Sequence, residues 1–396
     1  MTAYLDHAAT TPMLPAALTA MTEQLAVVGN ASSLHRTGRA SRRAVEESRE
    51  KIARCLGARP SEVLFTSGGT ESDNLAVKGT YWARRDADPA RVRLLVSAIE
   101  HHAVLDCVDF LVAHEGAKVT WLESTADGLV EPATVRAAIE ADPESVALVS
   151  VMWANNEVGA VQDVAGIAAV AREHGIPFHT DAVQAAGHLP VDFAASGADL
   201  LSVTAHKLGG PIGVGALVAR RDARLVPLTH GGGQERQVRS GTLDTPAIVG
   251  FATAIVAATE SMEAEAVRLT GLRDDLIERA MALGAGIRPT GLWQRGDGAH
   301  RLPGNVHLLV PGCDGDSLLY LLDAAGVSCS TGSACQAGVP QPSHVLLAMG
   351  ISESDARGAL RLTLGHTSTQ ADVDAVIDAL PAAIERARRA REATAS

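Results

Sequence analysis

The sequence predicts an α/β fold: a large domain on a mostly parallel central sheet, joined to a smaller α+β domain. Three observations carry this. Short apolar runs alternate with stretches of helical period through the first two thirds of the chain, the pattern of a parallel sheet covered by helices on both faces. Five of those runs end in polar or ionisable residues, and open α/β sheets bind ligands beyond the carboxyl ends of their strands. The last third changes character, with one long helical stretch and then isolated strand-like runs separated by helices.

Taken in order, the strand-like runs of the first part are residues 63–67, 92–99, 147–152, 177–181, 200–205 and 215–219. Each is short, apolar and bounded by turn-forming residues. Residues 41–56 read as a helix with Ser41 as N-cap, Val45, Ile52 and Leu56 on one face, and Gly57 as terminator. Residues 163–174 repeat the pattern with Val164, Ile167 and Val170 before Gly175. A long helix is expected over 245–283. A strand at 305–310, a helix from Asp316, a Gly- and Pro-rich segment, a strand at 359–365 and a terminal helix follow. The expected division is 13–250 for the large domain, with 1–12 and 251–396 forming the small one.

Bulk properties narrow the function. A formal charge of −12 over 396 residues disfavours a nucleic-acid-binding surface. No run of about 18 apolar residues predicts a membrane span. The opening MTAYLDHAATTP lacks the basic and apolar regions of a secretory signal. Cysteines 55, 107, 313, 329 and 335 are odd in number and form no CxxC pair. That favours reduced thiols in the cytoplasm over a disulfide framework.

The strand ends carry the chemistry. Gly68-Gly69-Thr70 follows a strand and opens a helix, presenting free backbone N–H groups and a positive helix end to a phosphate. No GKS or GKT follows, so it is not a Walker motif. The glycines of 209–215 precede a strand rather than follow one, which argues against a dinucleotide fingerprint. A lysine such as Lys207 is ordinarily a solvated surface residue. Here it stands at a strand end beside His206, where a cleft lysine near a phosphate cradle could form a Schiff base with an aldehyde cofactor. Pyridoxal phosphate needs that lysine, a phosphate site and an acid for its pyridine nitrogen. Asp181 is a candidate acid, and His101 a candidate for stacking or proton transfer. Arg361 interrupts an apolar strand pattern, LRLTLG, and its planar fork suits a carboxylate. Cys335 sits among Gly338, Pro340 and Pro342, an unlikely place for a structural core thiol.

These residues belong to motifs that resemble the cysteine desulfurases of the class V aminotransferase group, most closely the bacterial iron–sulfur-cluster and nitrogen-fixation type. The matching blocks are FTSGGTESDNLAVKG (65–79), EHHAVLD (100–106), ANNEVGAVQD (154–163), HTDAVQAAG (179–187), AHKLGGPIGVGAL (205–217), HGGGQERQVRSGTLDT (230–245) and STGSACQAGVPQPSHVL (330–346). Gly69, Thr204 and Ile212 stand where the family often has alanine, serine and lysine. The resemblance implies the pyridoxal-phosphate-dependent transferase fold, fold type I, and desulfuration of L-cysteine to L-alanine with a persulfide formed on Cys335.

By motif, Lys207 would carry the cofactor, Asp181 would pair with the pyridine nitrogen, Gln184 with the phenolic oxygen, and His101 would stack on the ring and act as acid/base. Gly69, Thr70, Thr204 and His206 resemble the phosphate set, and Thr242 the residue that reaches it across a homodimer interface. Asn156 matches a cofactor- and substrate-binding asparagine, and Arg361 the carboxylate-binding arginine. No metal is implied. The sulfur acceptor would be an iron–sulfur scaffold or a tRNA-thiolating enzyme. A selenocysteine lyase, another pyridoxal enzyme of the same fold and a non-catalytic scaffold are the competing readings.

Overall fold

The computed structural model describes residues 2–332 and 342–395; Cys335 lies outside them. The strands are β1 (Ala3–Tyr4), β2 (Val63–Thr66), β3 (Arg93–Ser97), β4 (Lys118–Leu122), β5 (Val146–Ser150), β6 (Phe178–Asp181), β7 (Leu200–Thr204), β8 (Gly215–Ala219), β9 (Arg288–Pro289), β10 (Asn305–Leu309), β11 (Val327–Ser328) and β12 (Ala359–Thr363). The helices are α1 (Pro15–Leu25), α2 (Arg36–Cys55), α3 (Gly69–Ala87), α4 (His102–Glu115), α5 (Pro132–Glu140), α6 (Val164–Glu173), α7 (Phe193–Ser196), α8 (Thr245–Ala282), α9 (Gly315–Ala324), α10 (His344–Ala348), α11 (Glu353–Ala356) and α12 (Gln370–Ala395).

A seven-stranded sheet runs in the order β2-β8-β7-β6-β5-β3-β4. Only β8 runs antiparallel to its neighbours. Strands β5, β6, β7 and β8 are buried along their whole length; β5, β7 and β8 are mostly apolar runs covered on both faces, whereas β6 (FHTD) buries His179, Thr180 and Asp181. Gly215 opens β8 where a Cβ would come within 2.8 Å of Gly68 Cα and 2.6 Å of the Val203 carbonyl. Only a glycine lets β8 lie that close to the turn after β2.

A second sheet, β12-β10-β9, and the β1-β11 pair build the smaller core. α8 belongs to both cores. Its residues Ile248, Phe251 and Ile255 pack into the first, and Leu269, Leu276 and Ile277 into the second. The sequence boundary at 250/251 lies within this helix. α8 is long and apolar enough to cross a membrane by composition alone; its buried residues face these two cores instead.

One expectation is corrected and one strand is added. The helix placed at 41–56 begins at Arg36, capped by His35, whose Nδ1 accepts the Gly38 N–H. Ser41 is buried inside the helix, where it cannot cap. The edge strand β4 went unforeseen because KVTWL is mostly exposed or half-buried and lacks a clean apolar run.

The segment leading into α8 holds three consecutive non-glycine residues at positive φ: Glu235 at 41°, Arg236 at 61° and Gln237 at 62°. Each costs on the order of 1–3 kcal/mol and persists only where surrounding contacts over-determine it. The contacts here are the buried Glu235 carboxylate with both Arg49 Nη atoms, at 2.7 Å each, and with the Phe65 N–H at 2.8 Å. A second ion pair, Arg239 Nε to Glu71 Oε1 at 2.8 Å, ties the same segment to the first turn of α3. Arg49→Met strands the Glu235 carboxylate in the interior. A loss of roughly 3–5 kcal/mol in urea unfolding is expected, much of it recovered in Arg49→Met/Glu235→Leu. A loss below about 1 kcal/mol in the single variant would show that the pair does not hold the segment.

Candidate active site

The carboxyl ends of β2, β3, β5, β6 and β7 open on one cavity of about 390 Å³. Gly69 and Thr70 come from the turn after β2, His101 from that after β3, Asn156 from that after β5, Asp181 from the end of β6 and Gln184 just beyond it, and Thr204, His206 and Lys207 from the end of β7. The N-terminal segment adds Ala8 and Ala9, and β12 adds Arg361. Ten of the residues singled out in the sequence therefore line one cavity. Thr242 does not line it and is exposed. Cys335 lies outside the described residues, but Gly332, three positions earlier, lines the wall.

α3 enters the cavity with its N-terminus uncapped by any side chain. Gly68 at its N-cap has φ 153°, a conformation that excludes other residues. The first N–H groups of a helix have no intrahelical acceptor, and their dipole favours an anion. Thr70, Thr204 and His206 surround this end.

On the other side stand carboxyls with almost no cationic company. Burial, with Asp73 nearby, pushes the Asp181 pKa up to about 8. Burial raises Asp73 to about 7, and burial together with Asp181 raises Glu100 well above its ordinary value. Asp181 Oδ1 accepts the Val183 N–H at 2.8 Å. Glu100 Oε2 and Asp73 Oδ1 are buried and have no hydrogen-bond partner among the described residues. Behind Asp181, His179 spans the sheet, with Nδ1 2.9 Å from Ser150 Oγ and Nε2 3.0 Å from Ser202 Oγ. Burial lowers its pKa to about 4, so it stays neutral.

Lys207 Nζ donates to the carbonyls of Ala8 and Ala9, the latter at 2.7 Å. Burial, and then the Arg361 charge, lower its pKa to about 8, enough to present a sizeable free-amine fraction near neutral pH. His101 Nδ1 accepts the Ala103 N–H at 3.1 Å. Burial and Lys207 hold its pKa near 4, so the neutral ring carries its proton on Nε2. Arg361 Nη1 donates to the Asn156 carbonyl at 3.1 Å, and Nη2 to Asp6 Oδ1 at 3.0 Å. Its Nε is buried without a partner among the described residues. The guanidinium thus joins three segments and leaves its Nε donor uncommitted.

Sequence reasoning missed several contributors. Asp73 falls on the buried stripe of α3 with Val77 and Tyr81, and an acid in an apolar helical stripe is a usable signal. Glu157 is buried, and its Oε2 accepts the Ser343 hydroxyl at 2.5 Å. Gly332 lies against the same carboxylate, where a Cβ would be 3.3 Å from Oε2. Glu157 thus meets both described ends of the segment that carries Cys335. The carbonyls of Ala8 and Ala9 had no sequence signal, since every residue has one.

The chain is similar to known proteins along nearly its whole length. The family model for class-V aminotransferases matches residues 3–376. The IscS-like cysteine desulfurase of Mycobacterium tuberculosis is 58% identical over 393 residues, covering 99% of each chain. The cysteine desulfurase IscS of Dictyoglomus turgidum is 42% identical over 97% of this chain and 95% of its own. A solved NifS-like protein superposes with a TM-score of 0.87 at 34% identity, over 97% of this chain and 99% of its own.

The buried groups set a pH dependence for the ligand-free protein. Asp181, Asp73 and Glu157, raised to about 8, 7 and 7, keep protons that the unfolded chain has released above about pH 4. Their contribution is lost as pH rises through 7 to 8. His7, His101, His179 and His206, held near 4, refuse protons that the unfolded chain takes below about 6.5, so stability also falls on acidification. The melting temperature of ligand-free protein should therefore peak near pH ~6.5 and decline toward 8.5, with a shallower decline in Asp181→Asn. A melting temperature still climbing from pH 7 to 8.5 would contradict the buried-carboxyl account.

Proposed function

We propose a division of labour among these residues from one premise: the chain belongs to the class-V aminotransferase family and is a pyridoxal-phosphate-dependent cysteine desulfurase, which takes sulfur from L-cysteine. The observation that supports it best is one cavity shared by an amine of lowered pKa, a buried carboxyl with no cationic side chain paired to it, and an arginine with a free donor.

The residues fit pyridoxal phosphate. The uncapped start of α3 with Thr70, Thr204 and His206 suits the phosphate. The Asp181 carboxyl, costly to ionise alone, suits a protonated pyridine nitrogen that would draw its pKa down. Gln184 would meet the phenolic oxygen, Asn156 and His101 would hold the ring, and Lys207 would carry the cofactor. When bound, the cofactor supplies an electron sink for the substrate's Cα.

Arg361 holds the carboxylate of L-cysteine, with Asn156 beside it. Lys207, present partly as free amine, takes the Cα proton. The Cys335 thiolate attacks the substrate sulfur; an S–S bond forms, the C–S bond breaks, and its electron pair stays with the carbon fragment. Protonation of that fragment, through His101 and Lys207, yields L-alanine. Cys335 keeps the sulfur as a persulfide and passes it to an acceptor, which we take to be an iron–sulfur scaffold or a tRNA-thiolating enzyme. The exposed position of Thr242, on a segment clamped to α3 through Arg239 and Glu71, supports a homodimer in which Thr242 serves the partner's phosphate. The four described cysteines are free thiols, which supports a cytoplasmic location.

Two variants test the assignment. Cys335→Ala should keep the cofactor's absorbance and lose alanine and persulfide formation together; undiminished turnover would remove the thiol from the mechanism. Lys207→Ala should lose the borohydride-reducible link to the cofactor along with activity, and an unchanged reducible link would locate that bond elsewhere.

A further inference from the structure

At the opposite, amino end of the main-sheet strands from the active-site cavity lies a second pocket, of about 430 Å³. It opens at the amino ends of β6 and β7, where Pro177 and Leu200 line it, between α3 and the turn after α6. Four arginines enter it: Arg84, Arg172, Arg220 and Arg224. Two carboxylates, Asp199 and Asp222, face them, and both are spent on Arg220, at 3.7 and 3.5 Å. Arg84 and Arg224 have no ion pair or side-chain hydrogen bond among the described residues, and Arg172 donates only to the Gly197 carbonyl at 2.9 Å. Among the described residues, the guanidinium groups of Arg84, Arg172 and Arg224 therefore border one pocket without a direct ion pair, in a protein whose net charge is −12.

A second observation points the same way. Thr80 lines the pocket and is 3% exposed, yet its Oγ1 has no hydrogen-bond partner among the described residues. The Nε of Arg84, one helical turn further along α3, is also buried and unpartnered. Unsatisfied buried donors of this kind are uncommon in native structures and call for a ligand or an ordered solvent partner. Burial and the nearby Arg91 charge lower the Arg84 pKa, outweighing the opposing pull of Asp88.

We propose that this pocket binds the phosphoryl group of a small phosphorylated molecule. A planar carboxylate is satisfied by one guanidinium fork, whereas a tetrahedral dianion can take donors from three arginines and a hydroxyl at once. The volume falls in the range of small-molecule sites and exceeds what a single phosphate fills. The site lies apart from the cofactor's phosphate cradle, which is at the other end of the same strands, so the two anions do not compete.

Calorimetric titration of the holoenzyme in phosphate-free buffer tests this, because the cofactor already fills the cradle. Inorganic phosphate and ATP serve as probes. Saturable binding near one equivalent per chain is expected, weakened about ten- to hundredfold in Arg224→Gln and at least about a hundredfold in Arg84→Gln/Arg224→Gln, since each lost charged hydrogen bond is worth about 1.5–3 kcal/mol. Arg224 is exposed, so Arg224→Gln alone decides the matter if the double variant does not fold. Cysteine turnover without phosphate should be unchanged in Arg224→Gln. Tighter binding of ATP than of phosphate identifies a phosphorylated metabolite as the source, and equal or weaker binding identifies free phosphate. Absence of saturable binding by either probe, or binding unaltered in the variants, overturns the proposal.

Discussion

The Asp181 carboxyl, buried at the end of a central strand with no cationic side chain paired to it, is the constraint around which the site is arranged. It lies on β6 between β5 and β7, where the low dielectric makes ionisation expensive. The surroundings deepen that bias. Asp73 and Glu100 add like charge rather than relief, and His179, pinned between two serine hydroxyls, stays neutral. A site built this way is matched to a ligand that brings its own positive charge. In the same cavity, burial and then the Arg361 charge lower the Lys207 pKa, so that its amine is not a permanent cation.

The same site depends on segments that are remote in sequence. The first twelve residues supply Ala8 and Ala9 to Lys207 and Asp6 to Arg361. β12 supplies Arg361, whose backbone pairs with Ser330 and whose side chain reaches Asn156. One guanidinium thus holds the N-terminal segment and the small-domain strand against the main sheet. Glu157, next to Asn156, meets Gly332 and Ser343. The Arg361 side chain and both described ends of the segment that carries Cys335 are therefore tied to two adjacent residues of one turn. Electrostatic restraint also maintains local backbone strain: the left-handed run at 235–237 survives because Glu235 is locked to Arg49 and the β2 backbone.

Legibility in the sequence followed physical locality. The buried strands β5 and β7 were readable within a residue or two because strands covered on both faces are largely apolar, as in VALVS and LLSVT. The edge strand β4 was not, because its neighbours, not its composition, recruit it. The start of α2 was misplaced because His35 caps through a ring nitrogen that a propensity reading passes over in favour of a serine. Asp73 and Glu157 escaped notice because an acid looks solvated until its surroundings are known.

By itself, then, the sequence determined the sheet class, the turns that close each strand, and the residue types offered at one edge. Strand-end chemistry and hydrophobic period are local properties of the chain. The tertiary structure alone decided which offers meet. It brought Arg361 and Ala8 to Lys207, withheld an ion-pair partner from Asp181, left Thr242 off the cavity lining, and placed several arginines around a pocket at the amino ends of the central strands. Those outcomes rest on long-range packing and desolvation, which depend on what surrounds a group rather than on what the group is.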